Sequence, residues 1–303
     1  MSAAHLRGVY VPLITPFTSD GAVDFDGLQR LAVDMLDAGA AGLVALATTG
    51  EVTSLTDAER TEIVAALSEV SVDHHAPLIV GAATNDTATT LARHMALADV
   101  PGVVASLAVV PYYVRPSEAA ILAHFEFISE RSPVPLVVYN IPYRTGRGLG
   151  AASILELAAM PNVAGLKQAV GSLDADTLTV LANAPSDFAV LGGDDAYLAP
   201  VALMGGAGAI AASAHLCTDR FVAMIDAALA GDVPKTRPHA EALLPLVQAL
   251  FAEPSPAVLK AILHAEGRIA TPNVRMPLSV ASPAGATAGL AAFRAASAVT
   301  VAS

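Results

Sequence analysis

Lys167 is one of three lysines in this 303-residue chain, and it stands in the apolar stretch Val163-Ala164-Gly165-Leu166-Lys167-Gln168-Ala169-Val170. An ammonium buried in such a stretch loses its water, and desolvation disfavours the charged form. A lysine so placed can be a neutral amine at working pH, the nucleophile needed to form a Schiff base with a carbonyl substrate. The competing reading is a strand-end lysine that snorkels to solvent. Thr48-Thr49-Gly50-Glu51 joins two hydroxyls to a glycine turn, a cradle for a small carboxylate or, equally, a helix-entry turn. Tyr139 offers a phenol that can shuttle a proton to an imine or alkoxide, although a core tyrosine with a satisfied hydroxyl is the commoner use of the residue. Arg144, in Pro142-Tyr143-Arg144-Thr145-Gly146, could clamp a carboxylate through two hydrogen bonds or lie free on the surface.

Other candidates carry less. The pair Asp194-Asp195 has no histidine or further carboxylate at metal-ligand spacing, so no metal site is expected. One of the two is expected to cap the next helix and to neutralise a nearby cation. Lys260, on an apolar helical pattern, is the rival to Lys167, with a stem that would cover apolar surface. Lys235, between Pro234 and Pro238, reads as a loop residue. His74 and His75 precede Pro77 on an exposed turn, and His215 reads as packed. No Ser–His–Asp arrangement, phosphate loop or CxxC occurs.

The elements that must position these groups alternate along the chain. Strand candidates are residues 9–17, 42–48, 77–83, 102–110, 135–140, 163–169, 188–193 and 208–215. Helical patterns lie at 24–38, 56–71, 87–98, 117–131, 151–160, 173–183, 196–204 and 218–230. Within the first helix Leu28, Leu31, Met35 and Leu36 share a face, away from Gln29, Arg30 and Asp34. Thr56 with Glu59, and Ser117, read as helix starts. The strands are continuous apolar runs, as in a parallel sheet buried on both faces. Eight strand–helix pairs predict an α/β fold, a (β/α)8 TIM barrel, over residues 1–232. An open doubly wound sheet is the other arrangement of such pairs, but no Gly-x-Gly-x-x-Gly follows the first strand. Further helical patterns at 237–252, 256–265 and 286–298 predict a C-terminal helical appendage over residues 233–303, packed on the barrel as one structural unit. In such a barrel chemistry gathers at the C-terminal ends of the strands, where Thr48, Tyr113, Tyr139, Lys167, Asp194 and Ile210 fall.

Composition narrows the partners. A hydrophobic share of 54%, with 15% charged residues, supports a large core. A net charge of -12 argues against a nucleic-acid or anionic-membrane partner. A single cysteine, Cys217, cannot form an intrachain disulfide, which fits a reducing cytoplasm. The N-terminus, Met1-Ser2-Ala3-Ala4-His5, lacks an apolar signal core. Residues 196–218 carry no Asp, Glu, Lys or Arg, yet Pro200, Gly205, Gly206, Gly208 and His215 interrupt them. They read as a buried helix, a tight turn and a strand, not a membrane span.

Taken in order, Leu13-Ile14-Thr15-Pro16-Phe17, Thr48-Thr49-Gly50-Glu51, Pro111-Tyr112-Tyr113, Tyr139-Asn140-Ile141-Pro142, Gly165-Leu166-Lys167, Gly193-Asp194-Asp195, Glu253-Pro254-Ser255-Pro256 and Arg275-Met276-Pro277-Leu278 make the chain resemble the Schiff-base-forming pyruvate lyases, the dihydrodipicolinate synthase and N-acetylneuraminate lyase family. The resemblance covers nearly the whole chain. It implies an imine between Lys167 and pyruvate, proton transfer by Tyr139, and a Thr48 link from Tyr139 to a Tyr113 that reaches in from a neighbouring subunit. It further implies that Thr48 and Thr49, with Gly50, hold the pyruvate carboxylate, that Arg144 takes the carboxylate of an aldehyde substrate, and that the Ile210 carbonyl lines the pyruvate site. No metal or organic cofactor is implied. The partners implied are a small keto acid, an aldehyde and other copies of the chain in a homotetramer, a dimer of dimers. Arg144 and Tyr113 point within the family to condensation of pyruvate with aspartate semialdehyde, on the route to lysine. The alternatives are a pyruvate-releasing aldolase or dehydratase of a 2-keto-3-deoxy sugar acid, and a keto-acid sensor without activity. Tyr143, Ala47 and Gln168 depart from the residues usual at their places. Asp57, Arg60 and Thr89 depart from those associated with lysine feedback, although Asn85 is retained.

Overall fold

The computed structural model describes residues 6–299. The Met1–His5 stretch read for a signal core lies outside the described residues. Eight parallel strands, β1 (Gly8–Pro12), β2 (Gly42–Ala45), β3 (Leu78–Gly81), β4 (Val103–Val109), β5 (Leu136–Asn140), β6 (Val163–Gln168), β7 (Ala189–Gly192) and β8 (Gly208–Ile210), pair in sequence order, and β8 closes on β1. The expected (β/α)8 barrel is therefore the observed architecture. Around it run α1 (Phe25–Asp37), α2 (Asp57–Asp73), α3 (Thr87–Met95), α4 (Glu118–Ser129), α5 (Pro142–Thr145), α6 (Ala151–Ala158), α7 (Ala175–Asn183), α8 (Leu198–Leu203) and α9 (Thr218–Leu229).

Each strand serves two cores because its side chains alternate. On β5, Leu136 and Val138 point outward onto Ile121, Phe125 and Ile154 of the helices. Val137 and Tyr139 point into the barrel, among Val44, Ile79, Leu107, Leu191 and Ile210. On β6, Leu166 faces the helices, so its neighbour Lys167 faces inward. The period of two thus carries both Tyr139 and Lys167 to the barrel axis.

Local sequence sets the helix ends. Thr56 accepts from the Glu59 amide while the Glu59 carboxylate accepts from the Thr56 amide, the expected capping box of α2. Ser117 caps α4 as expected. The eighth helix and strand resolve the long uncharged run as expected, and no helix among the described residues is long and apolar enough to cross a membrane.

The C-terminal helices α10 (Val233–Leu250), α11 (Ala257–Ala265) and α12 (Pro283–Ala298) share one core with the barrel's outer face, through Leu243, Leu246, Val258, Leu259, Ile262 and Leu263. Two expectations fail here. Lys235 lies in the first turn of α10 and not in a loop: Asp232 caps that turn, and Pro234 sits where its missing N–H costs nothing. Lys260 does not run its stem over the surface to put its head in solvent; it is wholly buried and paired with Glu51.

Candidate active site

The strand ends open into a cavity of about 580 Å³. Thr48, Thr49, Tyr139, Tyr143, Arg144, Lys167, Gly193, Asp194, Asp195 and Ile210 line it, and α10 and the 251–255 segment roof it. The β5–β6 register sets Tyr139 beside Lys167. The Lys167 Nζ lies 4.4 Å from the centroid of the Tyr139 ring. Just behind this pair, outside the barrel, the Asn140 amide donates to Gln168 Oε1 at 3.0 Å, and Gln168 donates to Thr177 Oγ1 at 3.0 Å. Neutral Gln168 thus pins the two strands together where Asn140 needs an acceptor and Thr177 a donor.

Burial sets the protonation states. Lys167 is 5% exposed and Tyr139 6%. Desolvation lowers the Lys167 ammonium to about 8, with Asp195 and Asp194 opposing that fall. It raises the Tyr139 phenol well above its ordinary range, partly offset by Arg144 and by a hydrogen bond with Thr48. Both aspartates are pushed up by burial, and both feel the lysine.

Gly193 gives Lys167 its space. A Cβ at Gly193 would lie 2.8 Å from Lys167 Cγ and 2.9 Å from Cε, closer than carbon atoms approach. Gly193 stands in the sequence only as the first residue of Gly193-Asp194-Asp195, and its place directly after β7 is the signal of this spacing role. The aspartates after it correct an expectation: neither caps a helix with its side chain. Asp195 accepts from the Ser213 amide at 2.6 Å, tying the end of β7 to the turn after β8, and Asp194 accepts from the Gly171 amide at 2.5 Å.

Two predicted residues lie off the cavity wall. The Gly50 amide donates to Ala47 and its carbonyl accepts from Thr15 Oγ1 at 2.7 Å, so Gly50 shapes the turn and its N–H is already engaged. Tyr113 is 88% exposed with φ 71, a left-handed conformation that is costly outside glycine. In one chain it does not meet Tyr139. Arg144 and Tyr143 sit together on α5, the guanidinium 5.2 Å from the ring centroid, at the cavity mouth. His215 is packed as expected: its Nε2 accepts from the Ile14 amide at 3.1 Å and Nδ1 donates to the Ala212 carbonyl at 2.8 Å. Among the described residues no group of three or more His, Cys, Asp or Glu gathers in a metal-holding arrangement.

An eight-stranded parallel barrel that sets a desolvated lysine beside a phenol gathers the groups that Schiff-base chemistry requires. The sequence matches the dihydrodipicolinate synthetase family over residues 5–290, and the chain belongs to that family. It is 40% identical over 272 residues, 89% of this chain and 91% of the relative, to the 4-hydroxy-tetrahydrodipicolinate synthase of Moorella thermoacetica. Among solved structures, dihydrodipicolinate synthase from Thermotoga maritima superposes with a TM-score of 0.92 at 32% identity, covering 96% of this chain and 98% of that one. The chloride-inhibited enzyme from Acinetobacter baumannii, complexed with pyruvate, superposes with a TM-score of 0.92 at 29% identity, covering 97% and 100%.

Proposed function

We propose that this enzyme makes 4-hydroxy-tetrahydrodipicolinate, condensing pyruvate with aspartate semialdehyde through a Lys167 imine. The observation that carries the reading is the buried contact between the Lys167 Nζ and the Tyr139 ring. With Lys167 near 8, roughly a tenth of it is neutral at pH 7, against well under a thousandth of an ordinary lysine. The free amine attacks the pyruvate carbonyl, and the carbinolamine loses water to give the iminium. Loss of a methyl proton from the iminium gives an enamine, whose terminal carbon attacks the aldehyde and restores the iminium. The semialdehyde's own amino group then closes on the iminium carbon and displaces the Lys167 amine, which frees the cyclic product.

Each of these steps moves a proton, and Tyr139 is the group placed to carry it. Its raised pKa means that the phenol works as a protonated donor that accepts in turn, and not as a standing phenolate. In this reading Thr48 hands protons onward to Tyr113 of the partner subunit, and the high exposure of Tyr113 supports its reaching into a second copy. The functional unit is then a homotetramer, a dimer of dimers. Thr48 and Thr49 hold the pyruvate carboxylate, the Ile210 carbonyl bounds its pocket, and Arg144 takes the aldehyde's carboxylate. No metal or organic cofactor takes part, since the iminium formed on Lys167 serves as the electron sink. We place the enzyme in the cytoplasm, in keeping with its one cysteine.

Turnover of the purified protein with pyruvate and aspartate semialdehyde, set against 2-keto-3-deoxy sugar acids, tests the reading. Condensation of the first pair at the higher kcat/KM is expected. Preferential cleavage or dehydration of the sugar acids would replace it with the aldolase reading, and pyruvate binding without turnover would make the protein a sensor.

A further inference from the structure

Glu51 directly follows the Thr48-Thr49-Gly50 turn and yet points away from the cavity. It adopts φ 54 and ψ 35, a left-handed conformation, and its side chain is 1% exposed. Such a backbone persists in a non-glycine residue only when its surroundings enforce it. Both carboxylate oxygens are engaged. The Lys260 ammonium, from α11, donates to Oε1, and the Arg275 amide donates to Oε2 at 2.8 Å. Lys260 also donates to the Asn273 carbonyl at 2.9 Å and lies 4.2 Å from the centroid of the Phe17 ring. The other side chains of this cluster close it. The Arg275 guanidinium grips Glu59 at 2.8 and 2.5 Å and lies 4.5 Å from the Phe17 ring.

Burying a charge pair is a poor way to add stability, because desolvation offsets the attraction, whereas removing one partner alone is severe. What this pair does supply is a fixed anchor. The Glu51 amide donates to the Thr48 carbonyl at 3.1 Å, so holding Glu51 holds the residue whose hydroxyl meets the Tyr139 phenol. From the α11 side the anchor joins the C-terminal helices to the proton-transferring turn.

We propose that the buried Glu51–Lys260 pair is a positioning device for the Thr48–Tyr139 proton relay, coupling the C-terminal helices to proton transfer at the imine. This rests on the reading of the site given above. Neither residue lines the cavity, so both act through Thr48.

The test follows exchange of the pyruvate methyl protons in D2O by NMR, without aldehyde, beside borohydride trapping at saturating pyruvate. Glu51→Gln keeps the side chain's shape and removes its charge; Lys260→Met removes the cation. Each is expected to slow exchange at least tenfold while the trapped adduct remains complete and on Lys167. The double variant E51Q/K260M is expected to be no slower than the slower single one, since the residues act as a unit. Exchange within twofold of the parent in a Glu51→Gln protein that keeps the parental melting profile overturns the proposal. Parallel loss of trapping and exchange also overturns it, by making the pair a support of the whole site. A parent protein that traps no pyruvate defeats the underlying reading instead, so the two failures are separable.

Discussion

Gly193→Ala is the sharpest probe of the lysine's geometry. Gly193 does not have a positive φ, so alanine fits its backbone and the effect is one of space. The new methyl would sit 2.8 Å from Lys167 Cγ, 2.9 Å from Cε and 3.1 Å from Ala169 Cβ. Carbon atoms prefer separations of about 3.5–4.0 Å, so the lysine stem must retreat by roughly 1 Å. A displacement of that size at a reacting group costs on the order of a hundredfold in rate, and overpacking costs about 1–3 kcal/mol of stability. Stopped borohydride trapping with pyruvate, read by intact mass against time, measures the imine-forming rate, and a melting curve measures the fold. The expected outcome is a folded protein whose adduct forms about a hundredfold more slowly. Trapping at the parental rate in the variant would refute the claim that Gly193 sets the position of Lys167.

Four other outcomes are expected. The rate constant for imine formation at limiting pyruvate should rise with pH and level off above about 8, the Lys167 value; a rise continuing past pH 10 would show an ordinary exposed lysine. Arg144→Ala should raise the KM for the aldehyde at least tenfold, as loss of a charged hydrogen bond of about 1.5–3 kcal/mol requires; unchanged turnover of the preferred aldehyde would refute the carboxylate clamp. His94, His124 and His215 are all lowered by burial from 6.5 to about 4. Between those values the unfolded chain binds more protons, so their contribution is whole above pH 6.5 and is lost as pH falls towards 4, by up to about 3 kcal/mol each. Melting temperatures between pH 6.5 and 5 should therefore fall, and a flat profile contradicts the burial argument. Thr56→Ala should remove about 1 kcal/mol through the α2 capping box, seen in a denaturant titration as a lower midpoint with unchanged slope.

The barrel was legible in the sequence because buried parallel strands write themselves as apolar runs, and all eight runs became strands. Their ends were less legible. The runs at 42–48 and 208–215 overshoot because the chain enters tight 3-10 turns at Thr48–Gly50 and Ala212–His215, whose uncharged residues continue the run without a polar break. Tyr139 and Lys167 could be foreseen as neighbours, since consecutive barrel strands pair. The Glu51–Lys260 anchor could not: its partners lie 209 residues apart, and nothing local marks a lysine that ends on a carboxylate. Pro234 and Pro238 flank Lys235 as loop signals would, but Pro234 lies in the first turn of α10, where a proline leaves the helix intact, and the helix runs on through Pro238 in its interior. The aspartates after β7 were misread for a similar reason. Their place before a helix implied capping, but the barrel's closure brought the Ser213 amide within reach of Asp195 instead.

Of the three lysines, Lys167 alone is expected to be the amine that takes up pyruvate. Incubation with pyruvate, reduction with borohydride and peptide mapping test it directly. A single reduced adduct on Lys167, absent from Lys167→Ala, is the predicted result. No adduct, or an adduct on Lys260, would contradict it.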